Sequence, residues 1–527
     1  MRRNPVRGGF GGLDFKTRYK ADRQFSAAGP ELNTQAKFLT GSTMRHVIVM
    51  TLTGSLGLSF MFLVEFLALW WVSQLGDELL ITAIGFAGTI QFFVVSVAIG
   101  MMIGAVALVS RALGSGDGAE AKRIASSALV FAVTILTILS GAMFVFRHEI
   151  LEMTGASGEA LEVASDFLAI TLPSLPFVAA GMCSSAILRA MGDAWRSMMV
   201  TMVAGLLALV IDPILIIWMD LGAVGAAISI VISRLGMTVL GLYWVIHTHK
   251  MFGRPSLVDM KFYMRPYLAI AIPAIATQVS TPFGNWVAVR AIAEHGDSAV
   301  AGLGVVMRLT MLLFGGIFAL SGAIGGIIGQ NYGARQMDRV ASAYRDALVF
   351  CFVYTVVVWA VLALSAGFVV RSFGLHDDGA DVVYLFSYYM AGAFVFTGAL
   401  FVSNAAFNNL GRPLWATVAN WLRDGVLMFP LTFGLGAVMG AGGVVTGNAL
   451  ANVIAGAFAG LLAWRFIQRK RAGMAPEGGV APHSPAMGAA GAKAATMAAH
   501  VSMPPAAASS AAAPPAAQSH GTDAPKS

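Results

Sequence analysis

Long apolar runs constrain the fold of this chain more than any other feature of its sequence. A helix that crosses a bilayer needs about 20 mainly apolar residues, and twelve stretches of the chain qualify. They lie near residues 46–72, 80–110, 124–146, 161–188, 197–219, 222–246, 266–293, 298–329, 344–370, 382–409, 414–437 and 441–466. Only 12% of the residues are charged, against roughly 25% in soluble proteins. The predicted fold is therefore an all-α polytopic membrane protein with twelve transmembrane helices.

The two ends of the chain differ in composition from the apolar region between them. Residues 1–43 are basic and contain no apolar run of the kind found in a signal peptide, so we expect an N-terminal arm. Residues 468–527 are rich in Ala and Pro, which predicts a disordered tail. Lys and Arg concentrate in the loops on the side of the N-terminus. Because basic loops face the cytoplasm, both termini are predicted to be cytoplasmic, in a plasma (inner) membrane.

A repeat of glycines indicates that the chain contains two related halves. The recurring pairs are Gly85 and Gly304, Gly114 and Gly333, and Gly192 and Gly411, each 219 residues apart. The halves are predicted at 44–247 and 265–467, joined by a linker at 248–264. With six spans each, they would be pseudo-symmetric six-helix bundles of parallel orientation. In such transporters the substrate site lies near the interface of the repeats.

Two carboxylates interrupt the apolar runs of the first half. Asp212 precedes Pro213 in the fifth run, and Glu65 lies at a similar depth in the first. Acidic residues inside a span are costly in lipid and usually functional. If the two meet, repulsion between them would favour a bound proton. The alternatives are a kink-capping role for Asp212 and a Glu65 side chain that extends towards the interface with water.

Other polar residues in the same half are candidates for a substrate cavity. Arg234, midway along the sixth run, can pair with Asp212 or Glu65, or turn towards a loop. Gln91 and Ser96 can line the cavity or form packing hydrogen bonds. Two further charged sites lie near helix ends and are interpreted as structural: Arg308, and the adjacent residues Arg423 and Asp424.

Five short motifs resemble those of the multidrug and toxic compound extrusion (MATE) family. They are GMMIGAVALVSRALGSGD at 100–117, LRAMGD at 188–193, IDP at 211–213, GQNYGA at 329–334 and NNLGRP at 408–413. The resemblance covers about residues 44–467. It implies a cation-coupled exporter of small organic molecules, with a proton or sodium ion as the coupling ion and Asp212 as a coupling residue. The first-helix Asp of the family would fall near Ala68, and this chain has Glu65 one turn earlier, so Glu65 is a candidate coupling residue from its own position in the sequence.

This chain departs from the family pattern at several positions. Family members often carry Asn where this chain has Ala208, and a polar sixth-helix residue where it has Ile230, beside Ser229. Ser229 is therefore included among the candidate cavity residues. The acids of the seventh and tenth helices in some subgroups correspond to Thr281 and Ala399. These differences favour a proton over sodium.

Several classes of protein are disfavoured by the sequence. A phosphate-binding GxxxxGK[ST] motif is absent, and no His/Cys cluster suggests a metal, so we expect no cofactor and no enzymatic activity. The net charge of +7 is attributed to loop residues rather than to nucleic-acid binding. We expect a monomer whose partners are the bilayer and a small-molecule substrate. The leading hypothesis is a secondary antiporter that exports amphipathic, mainly cationic compounds; a flippase for a lipid-linked or polyanionic substrate is the alternative.

Overall fold

The computed structural model describes residues 36–73, 78–254 and 256–474. All regular secondary structure in these ranges is helical, which confirms the predicted all-α polytopic fold. The first half contains α1 Thr43–Ser73, α2 Glu78–Gly114, α3 Gly118–Val145, α4 Arg147–Met153, α5 Gly158–Thr171, α6 Leu175–Ala190, α7 Ala194–Pro213 and α8 Gly222–Tyr243. The second half contains α9 Leu257–Ile292, α10 Asp297–Leu313, α11 Gly315–Gly333, α12 Met337–Ser372, α13 Asp377–Leu385, α14 Phe394–Asn409, α15 Pro413–Trp421 and α16 Met428–Met474.

Nine helical segments of the described chain are long and apolar enough to cross a membrane, and a tenth span is formed by α10 and α11, which meet at 46°. The segment Pro413–Gly473 counts as one of the nine, yet Gly440 within it has a φ of 64° and turns the chain. The 36 residues of α9 extend about 54 Å at 1.5 Å per residue. The described residues therefore contain nine or ten spans by length and apolar composition. The predicted total of twelve is reached only if α9 is counted and the segment Pro413–Gly473 is divided at Gly440, so it stays a prediction.

Several spans are broken inside the apolar region, and proline accounts for two of the breaks in the first half. Between α5 and α6 the backbone forms a 3₁₀ turn, Leu172–Ser174, around Pro173. At the end of α7, Pro213 cannot donate the next helical hydrogen bond, and a π-helical turn, Ile214–Trp218, follows. In the second half, π-helical turns occur at Phe386–Met390 and Leu422–Leu427. These breaks free backbone groups in the regions where polar side chains lie.

The buried apolar residues form two large clusters, one for each half. The cluster of the first half also contains Tyr263, Tyr267 and Ala271 from the beginning of α9. The cluster of the second half also contains Val47 and Met50 from the beginning of α1. The start of the first helix of each half therefore packs in the core of the other half. These starts lie on the face where α1 begins and α16 ends, which we call the N-terminal face.

Candidate ion-coupling site

Asp212 lies in the last turn of α7, directly before Pro213 and the π-helical turn. Its side chain is buried, with only 4% of the residue exposed. The hydroxyl of Ser229 on α8 is close enough to interact with the carboxyl group, although it forms no hydrogen bond of normal geometry. The break in the helix thus places a carboxylate between α7 and α8, in the interior of the first half.

Among the described residues, no basic side chain interacts with the Asp212 carboxyl group. The side chain that does interact with it is that of Ser229. Burying an ionised carboxylate without a compensating charge costs several kcal/mol even after relaxation. The group therefore requires a proton or another cation whenever it is enclosed as it is in this structure. This is the chemical property that a coupling residue needs.

Arg234 on α8 is held by neutral groups. Its Nη1 atom donates to the Thr171 carbonyl oxygen at 2.9 Å and to Ser174 Oγ at 2.7 Å. Its Nη2 atom donates to Gln91 Oε1. Thr171 directly precedes the 3₁₀ turn between α5 and α6, and Ser174 is its last residue, so the guanidinium compensates backbone and side-chain groups at this break. Of the two pairings left open by the sequence, the one with Asp212 is not formed.

Glu65 lies on α1, and its side chain is outside the part of the chain that the structure describes. Its role in coupling, and its proximity to Asp212, therefore remain predictions. Ser96 is buried, and its hydroxyl donates to the Phe92 carbonyl oxygen of its own helix at 2.9 Å. Gln91 is engaged by Arg234. For Ser96 and Gln91, the packing alternative matches the observed hydrogen bonds.

A second pair of charged residues is buried in the other half, at the π-helical turn Leu422–Leu427. Arg423 Nε and Nη2 donate to the two carboxylate oxygens of Asp424 at 2.7 and 2.8 Å. Ser280 Oγ on α9 donates to Asp424 Oδ2 at 2.8 Å. The side chains are 7% and 4% exposed. The sequence predicted a structural role for Arg423 and Asp424, and this pairing agrees with it. Their nearly complete burial was not predicted, because both residues were placed near a helix end.

Two surface cavities, of about 300 and 280 Å³, are lined entirely by residues of the second half. The larger lies between the π-helical turn before α14 and the middle of α16, and includes Tyr389, Phe396 and Leu450. The smaller includes Arg308 and Phe373. None of the candidate site residues whose side chains the structure describes lines either cavity. The candidate functional site is therefore formed by the charged side chains inside the spans and not by these two cavities.

The fold and the buried intramembrane charges together define a polytopic membrane transporter. The MatE family model matches residues 55–214 and 273–433, one range in each half. The chain therefore belongs to the MATE family of transporters, as the motifs predicted. Membership also confirms the prediction that the protein is a transporter and not an enzyme.

Curated relatives cover most of the chain. One, named FAD transporter, is from Shewanella oneidensis and is 28% identical over 407 residues, which are 76% of this chain and 90% of the relative. Another, named multidrug export protein MepA, is from Staphylococcus aureus and is 25% identical over 392 residues, covering 72% and 84%.

The fold is also that of solved MATE structures. An outward-facing multidrug resistance MATE transporter of the MOP superfamily matches with a TM-score of 0.78 and 21% identity. The match covers 83% of this chain and 99% of that structure. The similarity extends over nearly the whole length of the solved transporter and includes both halves.

Proposed function

We propose that this protein is a secondary antiporter that exports amphipathic, mainly cationic organic compounds in exchange for an inward proton bound by Asp212. The observation that carries the proposal is the buried Asp212 carboxylate, which has no basic partner among the described residues. The proposal also agrees with the name of the S. aureus relative, a multidrug export protein.

The exchange follows from competition for one negative charge. An organic cation and a proton can each neutralise Asp212, and neither gains much when the other is bound. Arg234 does not compete, because its donors are occupied by Gln91, Ser174 and Thr171. A proton from the acidic side would release the compound, and the difference in affinity between the two open states would couple the cycle to the gradient.

The surroundings of Asp212 favour a proton over sodium. A metal cation needs several oxygen ligands, whereas a proton needs one carboxylate oxygen. On α7 and α8 the nearby family positions that could supply further ligands are Ala208 and Ile230, and the remaining polar neighbour is Ser229. We propose that Glu65 contributes to the same site, as its position in the sequence suggests.

We place the protein in the plasma (inner) membrane as a monomer with both termini in the cytoplasm. The N-terminal face carries the basic loops, and the positive-inside rule assigns these to the cytoplasm. The transported compound would then enter from the N-terminal face and leave from the opposite one.

The test is export of ethidium by the full-length protein in everted vesicles, with pH and sodium gradients imposed separately. Asp212→Asn keeps the size of the side chain but removes the titratable charge, so we expect insertion to be normal and gradient-driven export to fall to background. Asp220→Asn is the matched control, because Asp220 follows the same span and is exposed. Wild-type export by Asp212→Asn would refute the site, and full activity on sodium alone would refute the ion.

A second candidate is export of an anionic compound, which the S. oneidensis relative named FAD transporter favours. Both halves of this chain hold a guanidinium within the spans: Arg423 is buried, and Arg234 is half-buried. Competition between FAD and ethidium in the same vesicles distinguishes the candidates. Inhibition by FAD but not by uncharged riboflavin would support an anionic substrate.

A further inference from the structure

The residues before α1 are packed between the two halves at the N-terminal face. Lys37–Leu39 forms one 3₁₀ turn, and Phe38 within it is only 2% exposed. The Phe38 ring lies against Gly192, in the loop after α6 of the first half, and against Gly326 on α11 of the second. We call residues 37–40 the latch segment, because one aromatic side chain contacts both halves at once.

Backbone hydrogen bonds fix the latch segment to the second half. The Phe38 N–H donates to Gln330 Oε1 at 3.0 Å. The Phe38 carbonyl oxygen accepts from Arg339 Nη2 at 2.8 Å and from Asn331 Nδ2 at 3.3 Å. Arg339 Nη2 also donates to the Thr40 carbonyl oxygen at 3.3 Å. The main chain of the segment is therefore bound by side chains of α11 and α12.

Gln330 connects this segment to the first half. Its Nε2 atom donates to the Ala190 carbonyl oxygen, at the end of α6, at 2.7 Å, while its Oε1 atom accepts from Phe38. Gln330 is fully buried. One side-chain amide thus links the latch segment, α11 and α6, so that separation of the halves breaks contacts on both sides of it.

The same interface contains a reciprocal contact between positions 219 residues apart. A Cβ atom at Gly114 would overlap the Gln330 carbonyl oxygen, and a Cβ atom at Gly333 would overlap the Arg111 carbonyl oxygen. Gly333 and Gln330 are the repeats of Gly114 and Arg111. Backbones of the two halves therefore touch directly here, and the N-terminal face is closed.

This closed interface also buries polar atoms that lack hydrogen-bond partners in the described protein. They are Arg111 Nε, Arg189 Nε, Asn408 Oδ1 and Asn409 Oδ1. Each such atom opposes closure, because it would bind water once the halves separate. Close backbone packing therefore favours the closed N-terminal face, whereas the unpaired polar groups favour the open one. A small additional contact is then able to decide the equilibrium between closed and open.

We propose that the latch segment is the contact that holds the N-terminal face closed, and that Phe38 must leave its position between Gly192 and Gly326 before this face opens. The inference rests on the proposed function in that transport requires this face to open to the substrate. Its physical basis is the apolar burial of Phe38 across both halves, added to the hydrogen bonds of Arg339 and Gln330.

The test measures the separation of the halves with spin labels in the full-length protein in liposomes. Labels are attached to cysteines introduced at Trp195 and Leu414, which are exposed, lie at the N-terminal face and are 219 residues apart. The buried Cys183 and Cys351 are replaced by Ala in this background. We expect Phe38→Ala to raise the ratio of long to short distances roughly tenfold, which corresponds to about 1.4 kcal/mol. Phe373→Ala, at an exposed position on the opposite face, is the matched control and should leave the distances unchanged.

Arg339→Gln provides an independent variant, because it removes latch hydrogen bonds while the Phe38 side chain is kept, and it should shift the distances in the same direction. Wild-type distance distributions in both variants would overturn the inference. The proposed function is tested separately by Asp212→Asn. If that variant exports normally while Phe38→Ala shifts the distances, the coupling site is wrong and the latch stands. The reverse pair of results retains the coupling site and refutes the latch.

Discussion

The two halves share one helical plan but differ in how they accommodate buried charge. In the first half, Asp212 has no basic partner among the described residues, and Arg234 is held by neutral groups. In the second half, Arg423 and Asp424 neutralise each other. A carboxylate that is paired with a guanidinium is already neutralised, whereas an unpaired buried carboxylate needs a proton or another cation. This difference is the reason why we propose ion coupling in the first half, whereas the second half contains an internal charge pair.

The halves also differ at the start of their fifth spans. In the first half, Asp193 caps α7 by accepting from the Arg196 N–H at 3.2 Å, and its other oxygen accepts from Arg196 Nη1 and His249 Nε2. The repeat position in the second half is Arg412, which makes no side-chain cap. The second half begins this helix with Pro413, which needs no N–H partner in the first turn.

The largest expected effect concerns the charge pair. Arg423→Met leaves the buried Asp424 without its partner, which should lower the free energy of unfolding by about 3–5 kcal/mol. Arg234→Met leaves only neutral acceptors unpaired, at about 1–3 kcal/mol. Thermal unfolding in detergent measures both variants. The double change Arg423→Met with Asp424→Leu should restore most of the loss, and a double variant as unstable as the single one would contradict this account.

Alanine in place of the repeated glycines should have opposite effects, depending on the space around each glycine. Gly114→Ala and Gly333→Ala both place a Cβ atom into the backbone of the other half, and each should destabilise the closed N-terminal face by about 1–3 kcal/mol. Gly85→Ala and Gly304→Ala are matched controls, because a Cβ atom meets nothing within 4 Å at either position. In a helix this change is stabilising by about 0.5–1 kcal/mol. Spin-label distances and unfolding temperatures measure the difference, and equal behaviour of the two pairs would contradict it.

The helix cap should have a smaller, pH-dependent effect. Burial raises the pKa of Asp193, but hydrogen bonds from His249 and Arg196 oppose this and hold the pKa below its ordinary value. The stabilisation is therefore complete above the ordinary aspartate pKa of about 3.9 and is lost as the pH falls towards the folded-state value. Asp193→Ala should cost about 1 kcal/mol at neutral pH, measured by thermal unfolding. Arg412→Ala, which removes no cap, should have little effect; a larger loss there than at Asp193 would contradict the comparison.

The smallest effect is expected from the C-terminal tail. Deleting the residues beyond Pro476, which lie outside the described chain, should leave export in vesicles unchanged, because the Ala/Pro-rich segment has no apolar face with which to dock. Normal insertion together with lost export would refute the prediction.

The membrane environment, the helical class, the repeat and the family can be predicted without the structure, since they depend on local apolar runs, short motifs and glycine spacing. The sequence also points to Asp212 as an intramembrane carboxylate, because an acidic residue inside an apolar run is conspicuous at any depth. The partners of each charged side chain, in contrast, become evident only once the helices are packed together. Arg234 binds Gln91 and the break between α5 and α6 instead of an acid, because side-chain pairing depends on which helices lie side by side. The burial of Phe38 was likewise beyond the sequence, because its neighbours Gly192 and Gln330 come from both halves and meet only when the halves close.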